Sequence, residues 1–148
     1  MKVLGQSLTK RDLVHIIPRL LVVFIIGQTL PFKYTGHPES VWIFEQMGWE
    51  PWGRYMIAVL ETITVLLLLT RWYIVGATLS LSLLSAANFM HFTRLGFELN
   101  GDGGFLFKMS ILVIISSLVI VISWNRNRKK QQITHFNFDV AVDEEEDQ

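Results

Sequence analysis

Four apolar runs, Leu13 to Leu30, Trp52 to Thr70, Trp72 to His91 and Gly103 to Trp124, take up most of a 148-residue chain. Each comes close to the roughly 20 residues that an α-helix needs to cross the hydrocarbon layer. Backbone N–H and C=O groups in lipid must pair within their own segment, so runs of this kind are helices, and none alternates apolar and polar as a barrel strand would. The sequence predicts an all-α polytopic membrane protein, with a four-helix transmembrane bundle in residues 1–125 and a tail in 126–148. Hydrophobic residues make up 51% of the chain, and 13 Lys and Arg balance 13 Asp and Glu, so no net charge competes with the apolar character. The first run reads as a retained span rather than a signal peptide, because three more follow and no small-residue cleavage site succeeds it.

Lys2, Lys10, Arg11, Arg71, Arg126, Arg128, Lys129 and Lys130 flank one side of these spans, against Lys33, Arg54 and Arg94 on the other. The positive-inside rule then places both termini in the cytoplasm. Trp42, Trp49, Trp52, Trp72 and Trp124 fall at or near span ends, where an amphipathic ring suits the headgroup region. Between the first two spans, Pro38 and Glu39 open a short helix whose Val41, Trp42, Phe44 and Met47 give it an apolar side, so it is expected to lie at the outer interface. Spans two and three form a hairpin around Arg71, and Asn100 to Gly104 concentrates residues that tolerate φ > 0 into a tight outer turn. Beyond Trp124, a basic cluster suited to an anionic leaflet leads into an acidic stretch expected to be disordered.

Glu61 is the one carboxylate deep in a span, and intramembrane acids usually face a protein interior and find a partner. At 1.5 Å per residue, Arg19 lies roughly 9 Å and Glu61 roughly 13 Å from opposite faces of the layer, which makes an Arg19–Glu61 pair the expected interior contact. Lys108, roughly 7 Å into the fourth span, could reach Glu61 or snorkel to the interface. His15 and Arg19 share a helix face, with Pro18 between them. Gly76, Ser80, Ala87 and His91 form a small-residue face ending in an imidazole, which suits close helix packing. His91, with Lys33, Arg54, Arg94 and Asn88 at a similar level, offers donors for a quinone carbonyl or an oxyanion. Such an imidazole is equally well satisfied by water.

The absence of cysteine excludes disulfides and thiolate chemistry within the chain, and His15, His37, His91 and His135 lack paired metal-ligand spacing. No phosphate loop or nucleophile motif is present, and the basic run fits a membrane surface better than nucleic acid.

The segments Gln28 to Gly36, Pro38 to Val41 and Glu50 to Arg54, with Glu61, His91 to Thr93, Leu95-Gly96 and Gly101 to Gly104, resemble the DoxX-like family of small membrane proteins over about residues 19–122. The resemblance implies a four-helix bundle and a link to respiratory redox chemistry, with Arg19, Lys33, Glu61 and His91 as site candidates; Lys108 and the acidic tail lie outside its pattern. The leading expectation is an accessory subunit of a membrane oxidoreductase that binds a quinone or lipid headgroup and holds no covalent cofactor. Arg19 and Glu61 would be its interior pair, and Lys33, Arg54 and His91 its outer donors. A redox protein is the implied partner, and the oligomeric state stays open. The alternative is a non-enzymatic scaffold or small-solute permeation protein whose charge pair is structural.

Overall fold

Helix α1, Lys10–Thr35, contains Pro18 and Pro31. The sequence reading ends the first span at Leu30, but the helix continues for another turn. A proline removes one ladder bond and crowds the carbonyl four residues earlier. At Pro31 that earlier residue is Gly27, beside which an added Cβ would meet nothing within 4 Å, and Thr35 Oγ1 donates back to the Pro31 carbonyl at 2.8 Å. The computed structural model describes residues 2–3, 6–7, 10–99 and 101–146, with side chains described for 16–99, 101–129 and 131–133. The expected His15–Arg19 face therefore lies partly outside the described side chains.

Four further helices follow. α2, Pro38–Gln46, has proline in its first turn, as expected, and buries Ser40 and Phe44. α3, Trp52–Leu69, and α4, Tyr73–Met90, are joined by a three-residue turn at Arg71. A single π turn, His91–Leu95, extends α4. α5 runs from Phe105 to Glu146. Residues 2–3 pair with 6–7 in a minimal antiparallel bridge ahead of α1.

α1 packs on α3 and α5, and α4 on α3 and α5, which closes an antiparallel four-helix bundle. Its core is Val22, Ile25 and Ile26 of α1, Leu68 of α3, Ala77 of α4, and Val113 and Ile120 of α5. α4 approaches closely because of Gly76, where a Cβ would sit 2.9 Å from the Leu68 backbone nitrogen. Its buried residues are Gly76, Ala77, Ser80 and Asn88, whereas Ala87, expected on the packing face, is exposed. Ser80 and Ser117 share a hydrogen bond of 3.1 Å across the α4–α5 contact.

The four helices long and apolar enough to cross a membrane are Ile16–Thr35, Trp52–Leu69, Tyr73–Leu95 and Phe105–Ile133, of which only 17–33% is buried within the chain. Phe24, Leu66, Phe89 and Ile115 point outward. Lipid is the medium that covers such faces, so this is a multi-pass membrane protein. α2, the π turn and the α4–α5 loop define its loop end; the start of α1, the α3–α4 turn and the continuation of α5 define its termini end. α5 stays helical through the basic cluster. No Gly or Pro interrupts the chain from Phe105 to Gln148, so nothing local breaks the helix.

Candidate functional site

Side chains on a helix lean toward its N-terminus. α1 rises from the termini end to the loop end, so its long side chains lean back toward the termini; α3 descends, so its side chains lean toward the loops. Lys33 on α1 and Glu61 on α3 therefore lean together. Their Nζ and Oε2 atoms form an ion pair of 2.8 Å, with side chains 16% and 9% exposed. Lys33 Nζ also donates to Thr29 Oγ1 at 3.0 Å, whose hydroxyl points to the Ile26 carbonyl at 2.8 Å and lies 3.4 Å from Glu61 Oε2. Beside this cluster, Tyr34 and Thr62 share a hydroxyl bond of 2.9 Å.

The expected Arg19–Glu61 pair is not formed. Arg19, on α1 like Lys33, leans toward the termini end and away from Glu61, donates through Nε to the Leu68 carbonyl and through Nη2 to the Thr70 carbonyl at 3.0 Å, and lies over the Tyr73 ring. It closes the C-terminal end of α3, where backbone carbonyls lack helical partners. Glu61 lies about 12 Å from that level along α3. Cα levels alone omit the opposed lean of the two side chains.

Arg54 is also committed to a helix end. It is buried, grips Glu50 through contacts of 2.7–3.0 Å and donates to the Lys33 carbonyl at the end of α1. The Arg54 guanidinium lies against Gly36, whose φ of +68° turns the chain out of α1. His91 is buried, with Nδ1 2.8 Å from the Gly96 carbonyl and its ring edge-on to Phe107 at 5.5 Å. The tautomer that donates from Nδ1 closes the π turn. Lys33, Arg54 and His91 thus each serve a separate contact instead of forming one donor cluster.

Lys108 snorkels to the Gly103 carbonyl at 2.9 Å, as its lean along the descending α5 requires. Asp102, which sequence reasoning took only as a turn residue, accepts from the backbone N–H groups of Leu99, Gly104 and Leu106 at 2.8–3.0 Å. Burial opposes its ionisation, but these three donors, with His91 nearby, outweigh it and hold the carboxyl below the usual carboxylate range. The pattern Asp-Gly-Gly ahead of an apolar run carried that signal.

Asn88 remains. Its Oδ1 accepts from Ser110 Oγ at 2.6 Å, yet its buried Nδ2 has no partner among the described residues. A groove of about 510 Å³ lies at the loop end between Trp49, Trp52 and Met56. Met56 and Glu61 sit about 140° apart around α3, so the groove opens away from the ion pair. No three His, Cys, Asp or Glu among the described residues are grouped to hold a metal.

Fold and geometry define a class, the multi-pass four-helix membrane protein with an interior ion pair. No family model matches the chain, and no curated protein or solved structure matches it either.

Proposed function

We propose that the chain binds a membrane-borne carbonyl ligand, a quinone or a lipid headgroup, between the helices at the loop end of the bundle. It does so as an accessory subunit of an oxidoreductase in a bacterial inner membrane, as the DoxX-like resemblance implies. One observation supports this reading above the others. Among the polar side chains toward the loop end that do not close a helix are Lys33 with Thr29, Glu61, Asn88 and Ser110, contributed by α1, α3, α4 and α5 respectively. Burying such groups is costly unless they are partnered, and the Asn88 amide still has a donor to give. A ligand carbonyl accepts from that amide, while the apolar surroundings take its ring or chain. With no cysteine in the chain, a bound quinone or a partner supplies the redox centre.

Binding of a short-chain benzoquinone to the purified protein in mild detergent tests the proposal. Glu61→Gln keeps a hydrogen-bonding group beside Lys33 and should leave the protein folded, while weakening binding by about tenfold. Unchanged affinity would count against the site. The good geometry of the 2.8 Å ion pair also favours a second reading, a scaffold whose charges are structural. Exchanging Lys33 and Glu61 together for methionine separates the two, because a structural pair tolerates apolar replacement and a ligand site does not.

A further inference from the structure

One side of α1 faces away from the bundle. Ile17, Leu20, Phe24, Gln28, Pro31 and Thr35 recur at steps of three and four and are all exposed. At 3.6 residues per turn they fall within about 80° around the helix axis, opposite the inward-facing Val22, Ile26 and Thr29. Gln28 does not suit lipid. It lies seven residues before Thr35, about 10 Å into the layer from the loop end, and the lean of α1 side chains toward the termini carries its amide deeper still. Its side chain makes no hydrogen bond among the described residues. The exposed hydroxyls of Thr78 and Ser82 on α4, by contrast, settle on carbonyls four residues back. Pro31 also deprives the Gly27 carbonyl of its ladder N–H, and Gly27 leaves open space where a side chain would stand.

A bare amide in hydrocarbon is costly, and glutamine in membrane helices is satisfied across a helix contact. We infer that this face of α1 packs against the same face of a second copy of the chain, in a parallel twofold dimer whose Gln28 amides hydrogen-bond to each other. Two copies inserted in the same orientation hold Gln28 at one depth, and a twofold axis along the membrane normal brings each seam residue level with itself. The amide carries both donors and an acceptor, so the face is complementary to itself. A different membrane protein would have to bring its own polar group to that depth. The Gly27 carbonyl is an acceptor for the remaining amide N–H, and the space beside Gly27 lets the two backbones approach. This interface is independent of the carbonyl-ligand reading, because Thr29 and Lys33 occupy the other side of α1.

The chain has no cysteine, so a single introduced thiol reports which face meets its copy. The full chain carrying Phe24→Cys, reconstituted in phosphatidylcholine vesicles at a series of protein-to-lipid ratios and oxidised with copper phenanthroline, should cross-link to a dimer. Leu66→Cys and Ile115→Cys, also outward but on α3 and α5, should stay monomeric. Adding Gln28→Leu to Phe24→Cys should raise the protein density at half cross-linking about tenfold. Should that variant misfold, Phe24→Cys alone, which keeps Gln28, still tests the face. No cross-linking at Phe24, cross-linking as strong at Leu66 or Ile115, or an unchanged half-point with Gln28→Leu would each overturn the proposal.

Discussion

The two ends of α1 treat their cations in opposite ways. Arg19 turns away from the bundle centre and satisfies the last carbonyls of α3, whereas Lys33 turns inward and meets a carboxylate. Both follow one rule, the lean of side chains toward the helix N-terminus. Direction along the helix, more than depth in the membrane, decides which intramembrane charges meet. The same rule sends Lys108 out to the Gly103 carbonyl, because α5 runs opposite to α1. One end of α1 thereby closes a helix, and the other leaves a polar group inside the bundle.

Removing one member of the interior pair should be the most damaging single change. Lys33→Met strands the Glu61 carboxylate and is expected to cost about 3–5 kcal/mol, measured by denaturant titration in detergent. A small effect would erase the distinction between the two ends. Gly76→Ala tests how closely the helices approach at the termini end: the added Cβ meets the Leu68 backbone, and overpacking of this kind costs about 1–3 kcal/mol. Arg19→Leu should cost about 1.5 kcal/mol, since one of its two bonds is exposed, and should leave quinone binding unchanged. Loss of binding in that variant would move the site toward Arg19.

The smallest effect concerns the loop end. The Asp102 carboxyl titrates below its usual range in the folded protein, so its stabilisation is fully present above the ordinary carboxylate range. It is lost as pH falls through the depressed value. Asp102→Asn should cost about 1 kcal/mol near neutrality and abolish this acid-side dependence. Hydrogen exchange at Leu99, Gly104 and Leu106 across an acid titration would show both effects.

Much of the fold was legible in sequence because bilayer thickness imposes run length and lipid imposes helix. The four spans, the α3–α4 hairpin at Arg71, the Pro38 start of α2 and the turn before Phe105 all follow from local chemistry. The interior polar side chains of the candidate site were legible as residue types, since Lys33, Glu61 and Asn88 all stand out, but not in their pairing. Whether α1 survives Pro31 depends on the glycine four residues before it and on Thr35, a local balance that hydropathy does not carry. Which side chains meet depends on a lean that residue counting omits. Helix through the basic cluster reflects the absence of Gly and Pro after Phe105.

The central claim is that Glu61 pairs with Lys33 and not with Arg19. Solid-state NMR of the protein in lipid bilayers, with dipolar recoupling between the Lys33 side-chain nitrogen and the Glu61 carboxyl carbon, measures this contact directly. Strong dephasing, as an Nζ–Oε2 separation of 2.8 Å requires, is the expected result. Dephasing of the Glu61 carboxyl by the Arg19 guanidinium, or by neither cation, would contradict it.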